Sequence, residues 1–281
     1  MSTPSPSTYP GLNILLFGAS GTGKTYSLTT LPETGKEIFC LFLEPGLETL
    51  IGAYADAGKP IPSNLHWHYI QPRTQGFGAL QKTADAIGKF DLSGLAKMKD
   101  MQRGQNNPVL DLYTVLNDFS DQRTGKKFGP VDSWGNDRVL VIDSLSALTR
   151  MLFEMVIGTK PVKDMADWGI VQQALMSLLH KLTSGCQAHF ILIAHVEREQ
   201  DQITGGTKLM LSAPGKAITA QIPQPFSDVI YTTRENASFF WDTANSQADV
   251  KTRNLPIASK LPADFRPIFE KWENRKKLAE G

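Results

Sequence analysis

The sequence predicts an α/β fold in which a mainly parallel central sheet is flanked by helices and extended by antiparallel strands near the C-terminal end. Three observations carry that reading. Uninterrupted apolar runs at residues 14–17, 38–43, 139–142 and 190–194 suit strands covered on both faces, as in parallel sheets. Segments of helical periodicity separate them, clearest at residues 166–183, where Ile170, Val171, Leu175, Leu178, Leu179 and Leu182 share one face. Toward the C-terminus the rhythm changes to short strands divided by turns, at residues 228–233, 238–241 and 249–253.

The first apolar run opens directly onto Gly18-Ala19-Ser20-Gly21-Thr22-Gly23-Lys24-Thr25, a pattern of two glycines bracketing four residues and followed by Lys and Thr. A helix then fits residues 26–31 until Pro32 stops it. Strand, glycine turn and helix start therefore stand in the order a phosphate-binding loop needs. Glycine backbone angles let consecutive N–H groups turn inward around a phosphate at the positive end of the helix. The expected nucleotide-binding residues are Gly18, Ser20, Gly21, Thr22, Gly23, Lys24 and Thr25. Lys24 reaches the β- and γ-phosphates, and the Thr25 hydroxyl is a hard oxygen ligand for Mg²⁺. The expected class is a phosphate-loop NTPase that uses ATP and Mg²⁺.

At 281 residues and 41% apolar content the chain can bury a substantial core. A formal net charge of +1 gives no overall field toward nucleic acid or an anionic membrane, so any such site is local. Cys40 and Cys186 have neither pairing nor metal spacing, which points to a reducing compartment, and a cytoplasmic location is expected. No apolar run approaches the roughly 20 residues of a membrane span, and no secretory signal opens the chain.

The expected organisation is a flexible Ser/Thr/Pro-rich arm at 1–11, an ATPase core at 12–256 and a tail at 257–281, within which 271–277 is a charged helix or tail that reads as a solvated face. Within the core, residues 88–137 read as an insertion with too few apolar residues for a core of its own, holding a short helix at 109–119 and a loop at 121–136. Helices are also expected at 47–57 and 77–87, and a strand at 65–70. His66 and His68 share one side of that strand but have no third ligand nearby, so they read as structural. Residues 196–224 are polar and too long for a plain connection within a compact domain.

Three of the apolar strands deliver a polar residue at their carboxyl end, where open α/β sheets place ligands: Glu44, Asp143 and His195. Asp143 is the expected Mg²⁺ partner of Thr25. Many such ATPases carry a water-activating Glu directly after this Asp, whereas here Ser144 follows, and Glu44 becomes the candidate base.

With these residues in place, the chain resembles the ATPase core of the RecA and RadA recombinases over most of its length. Glu44-Pro45-Gly46-Leu47-Glu48 looks like the segment that bears RecA's catalytic Glu. Gln71-Pro72-Arg73-Thr74, followed by Ala79-Leu80, is similar to the stretch after the next RecA strand, and Val141-Ile142-Asp143-Ser144-Leu145-Ser146-Ala147-Leu148-Thr149 resembles the nucleotide-binding strand and its continuation. The resemblance implies that Glu44 and Lys24 are catalytic and that His195, where RecA has Gln, senses the γ-phosphate. It implies DNA-contacting loops at 158–167 and 196–215, with Arg198, Lys208 and Lys216 on the DNA backbone. It also implies that Lys251 and Arg253 reach across a subunit interface to a neighbour's ATP. Partners would be single-stranded DNA, a single-strand-binding protein and further copies of the chain in a ring or filament.

A phosphate loop beginning at residue 18 leaves no N-terminal domain, and no C-terminal regulatory domain is expected. That pared-down form is most like the Sak-type single-strand annealing ATPases of bacteriophages, which would place the chain in the host cytoplasm. The expected function is a Mg-ATP-dependent, single-stranded-DNA-binding recombinase or annealing ATPase with DNA-stimulated hydrolysis. Two alternatives stay open: a hexameric helicase or helicase loader, and a RecA-like signalling ATPase that binds protein rather than DNA.

Overall fold

The structure, a computed structural model, describes residues 9–71, 76–89, 108–158, 164–200 and 207–281. Its strands are β1 (Asn13–Gly18), β2 (Glu37–Phe42), β3 (Leu65–Tyr69), β4 (Arg138–Asp143), β5 (His189–Gln200), β6 (Thr207–Leu211), β7 (Asp228–Glu235), β8 (Ser238–Asp242) and β9 (Leu261–Pro262). They form one sheet in the order β3, β2, β4, β5, β1, β7, β8, β9, with β6 paired to β5. Neighbours from β3 through β7 are parallel, whereas β8, β9 and β6 join antiparallel. This is the fold class expected from the sequence, a RecA-like phosphate-loop NTPase fold with an antiparallel C-terminal extension.

The apolar runs alternate between two buried layers, as the two-residue strand repeat requires. Leu15 and Phe17 face a layer that holds α4 (Pro108–Asn117), α5 (Leu145–Ile157) and α6 (Met165–Ser184) through Leu112, Leu148, Leu152, Leu175 and Leu179. Ile14 and Leu16 face the opposite layer, where Leu50 and Tyr54 of α2 (Leu47–Asp56) and Ile268, Phe269 and Trp272 of α8 (Arg266–Glu280) are buried. Among the described residues the other α-helices are α1 (Lys24–Ser27), α3 (Phe77–Lys89) and α7 (Lys216–Thr219). Both long helices of the first layer start on side-chain caps. The Ser144 hydroxyl accepts from the Ala147 N–H, and Asp164 and Asp167 form a reciprocal capping box.

Several elements differ from expectation. The helix after the phosphate loop is only Lys24–Ser27 and continues as tight 3₁₀ turns, because Thr29 and Thr30 bond back to the carbonyls of Tyr26 and Ser27 ahead of Pro32. Residues 145–157, given no helix in the sequence reading, form α5. Residues 249–253 are not a strand: their backbone makes one isolated bridge, Val229 to Lys251, and then turns so that buried Asp228 accepts from the backbone N–H groups of Arg253 and Asn254, the Thr252 hydroxyl and the Asn254 amide.

The 257–281 segment is tied to the core. Its helix α8 buries an apolar stripe against the sheet, and the Trp272 indole donates to the Pro10 carbonyl at 3.0 Å. Residues 90–107 of the expected insertion lie outside the described residues. Residues 108–137 join the main core, where Phe39 meets Phe119 and Trp134 with ring centroids 5.1 and 4.3 Å apart. His66 is bonded to Glu37 of β2 and to Asp121, and His68 to the Ser120 carbonyl, so both histidines have the structural role expected. Among the described residues, no helix is long and apolar enough to cross a membrane.

Candidate active site at the carboxyl ends of the strands

Adjacent parallel strands bring the expected residues together because their carboxyl ends lie side by side. His195 stands abreast of Gly18, and Asp143 abreast of Ile193 and Phe42. The result is a cleft of about 480 Å³ lined by the phosphate loop, Glu44, Asp143 and His195.

The loop itself is built on backbone angles that side chains disfavour. Gly21 and Gly23 have φ of 76° and 82°, and a Cβ at Gly23 would lie 2.3 Å from the Phe239 ring, so glycine is required there twice over. Behind the loop, the hydroxyls of Thr22 and Thr232 are 2.6 Å apart, tying it to β7. Ser20 and Gly21 line the cleft mouth, and Gly18 ends β1.

Lys24 is buried, and its ammonium donates to the carbonyls of Gly18 at 2.9 Å and Ala19 at 2.7 Å. Burial pushes its pKa down to about 8, against the pull of the Asp143 and Glu44 charges. The Thr25 hydroxyl donates to Asp143 at 2.8 Å. Asp143 is 3% exposed, and burial pushes its carboxyl up to about 6, with the nearby Glu44 charge adding to the effect and the Thr25 bond and Lys24 charge opposing it. Here a cation and an anion are each held against desolvation. A ligand that brings phosphate oxygens to Lys24 and a hard dication to Thr25 and Asp143 relieves both, so these residues fit Mg²⁺ and a nucleoside triphosphate.

Glu44 accepts a hydrogen bond from His195 Nε2 at 3.0 Å. Because an ionised carboxylate only accepts, Nε2 is the protonated ring nitrogen. Burial favours the neutral acid at Glu44, but bonds from His195 and Ser144 and the His195 and Arg150 charges outweigh it, holding the carboxyl below its usual range. A half-buried, ionised carboxylate held by an imidazole is suited to taking a proton from water.

A family model described as an AAA domain matches residues 11–255. The chain belongs to the AAA domain family. As a phosphate-loop AAA domain it is an ATPase, and ATP with Mg²⁺ is the general requirement of that class. Among curated proteins none matches the sequence. Two solved structures are similar to this AAA domain, each with a TM-score of 0.37. The RadB recombinase is 14% identical, with 89% of this chain and 85% of that chain covered. An ATPase from the type III secretion system of pathogenic bacteria is 17% identical, with 80% of this chain covered; the AAA domain spans 53% of that chain.

Other expected site residues of the AAA domain lie away from the cleft. The polar stretch after His195 is not a loop at its ends, because β5 runs on to Gln200 and pairs with β6 as a hairpin, from Val196 opposite Leu211 to Gln200 opposite Thr207. Arg198 and Lys208 sit on those paired strands, and residues 201–206 between them in sequence lie outside the described residues, as do 72–74 and 159–163. Lys208 pairs with Asp249 at 3.6 Å and stands opposite Glu199 in the ladder, whereas Arg198 is opposite Leu209 and on the other face of the hairpin from Glu197 and Glu199. Lys216 opens α7. Lys251 is level with the start of β7, at the opposite end of the sheet from the phosphate loop, and its ammonium donates to the Gln224 carbonyl at 2.8 Å; Arg253 is exposed nearby. The cleft also contains Tyr26, Thr49, Arg234 and Phe239, which the sequence reading did not single out as site residues. Arg234 and Phe239 come from the β7–β8 hairpin, and no spacing links them to a loop more than 200 residues earlier.

Proposed function

We propose that this AAA domain hydrolyses Mg-ATP and couples hydrolysis to single-stranded DNA, as a recombinase or annealing ATPase of the phage type. The observation that carries the reading is the Glu44–His195 hydrogen bond, 3.0 Å long, at the root of the β5–β6 hairpin. ATP seats its phosphates in the loop amides and against Lys24. Glu44 takes a proton from the water that attacks the terminal phosphoryl group; the new P–O bond forms as the bond to ADP breaks, and Lys24 holds the charge on the phosphate oxygens. Thr25 and Asp143 would hold Mg²⁺, which supplies further neutralisation of the phosphate oxygens when bound.

His195 then links the two ends. Its ring bonds the base, while its backbone carbonyl accepts from the Ser212 N–H at 2.9 Å, so a change at Glu44 reaches both strands of the hairpin. Arg198, Lys208 and Lys216 would contact the DNA backbone, and Lys251 and Arg253 would serve a neighbouring subunit's site in an oligomer. One observation favours a second reading, an ATPase whose hairpin meets a protein: Lys208 is matched by Glu199 across the ladder and by Asp249 at 3.6 Å.

Steady-state ATP hydrolysis without DNA, with single-stranded DNA and with duplex DNA separates the two, with Lys24→Ala as the control for contaminating activity. Stimulation chiefly by single strands is the expected result. Hydrolysis indifferent to both DNAs contradicts the DNA reading and favours the protein-binding one.

A further inference from the structure

The strand order divides the cleft. Glu44 follows β2, Asp143 ends β4 and His195 lies within β5, all on one side of β1, whereas Arg234 and Phe239 stand on β7 and β8, on the other. The phosphate loop leaves β1 between them. A nucleotide whose phosphates occupy the loop, with its terminal phosphate toward Glu44, therefore has its base end toward the β7–β8 hairpin.

That end is aromatic. Tyr26, directly after Thr25, leaves 46% of its surface exposed and packs on Phe239 with centroids 5.3 Å apart and ring planes at 49°. Phe239 in turn lies under the Arg234 guanidinium, 5.7 Å from the ring centre, and that guanidinium is oriented by a bond from its Nε to the Asn236 carbonyl at 2.7 Å. Phe239 also fills the space beside Gly23, so the ring pair is fixed to the loop itself. Flat rings backed by a cation are a surface for stacking.

We infer that Tyr26 and Phe239, steadied by Arg234, form the base-stacking end of the nucleotide site. The inference rests on the nucleotide-binding reading above and deepens it by naming what holds the base. Stacking uses the face that every base offers, so adenine and guanine nucleotides both engage these rings, while a bare polyphosphate does not.

The test is isothermal titration of the full chain, with Mg²⁺ present, using ATP, GTP and inorganic tripolyphosphate. Tyr26→Ala alters an exposed ring, and Phe239→Leu, which keeps the contact with Gly23 apolar, guards against a folding artefact in either variant. The expected result is a loss of ATP and GTP affinity of about 5- to 150-fold, the range for losing one stacked base, with tripolyphosphate affinity unchanged. Equal losses for ATP and tripolyphosphate would mean that the rings only shape the loop and would overturn the inference, as would ATP affinity unaffected in both variants. Wild-type protein that binds tripolyphosphate as tightly as ATP overturns the base site alone. Wild-type protein that binds none of the three overturns the proposed function as well.

Discussion

Glu44→Gln lowers ATP turnover by about 10² to 10⁴-fold, the contribution of a positioned general base. Gln has the same shape and can still accept from His195, so the cleft keeps its geometry and nucleotide affinity stays nearly unchanged. Loss of rate without loss of binding separates a base from a binding group. The pH profile carries the same information. Because His195 and Ser144 hold Glu44 below the usual carboxylate range despite its burial, the acid limb of the wild-type rate profile falls below that range, and activity does not decline between neutral pH and pH 5 on account of this group. A Glu44→Gln variant that turns over normally would remove Glu44 from the role.

Asp143→Asn abolishes turnover and at the same time stabilises the metal-free, nucleotide-free protein at pH 7. Burial raises the Asp143 carboxyl from 3.8 to about 6, so its ionised form costs the fold up to about 3 kcal/mol at neutral pH. The sign follows from the direction of the shift. A raised carboxyl binds its proton more tightly in the folded protein, so the penalty is absent below pH 3.8, grows as pH rises toward 6 and is complete above it. Asn can accept the Thr25 hydroxyl but carries no charge to desolvate. Urea unfolding in EDTA should therefore give a gain at pH 7 that shrinks toward pH 4. An equal gain at both values would point to packing instead of charge. The native carboxylate is thus a group that weakens the empty protein and suits a site completed by a cation.

The chemistry of the cleft was legible because it lies where the apolar strands end. Glu44, Asp143 and His195 each follow an uninterrupted apolar run, and parallel pairing guarantees that such positions meet. What the sequence hid was structure without that periodicity. The outer half of β5 continues as Glu197-Arg198-Glu199, polar residues whose strand character comes only from pairing with β6. Residues 249–253 look β-like, yet the turn that follows them is set by buried Asp228, which collects four donors and draws the backbone away from a ladder. In α8 the apolar stripe Ile268, Phe269 and Trp272 is narrow and surrounded by charge, so the charged stretch at 271–277 hid the helix's earlier start and its buried face. Phe239 and Tyr26 meet only through the sheet order, which no local pattern encodes.

Hydrogen–deuterium exchange of residues 196–211, measured with and without a non-hydrolysable ATP analogue in the wild type and in His195→Ala, tests the link between nucleotide and hairpin. If the imidazole that bonds Glu44 transmits the nucleotide state, the analogue changes exchange of the hairpin amides in the wild type, and that change disappears in His195→Ala while the phosphate-loop amides still respond. The same nucleotide-dependent change in both proteins, or none in the wild type, would contradict it.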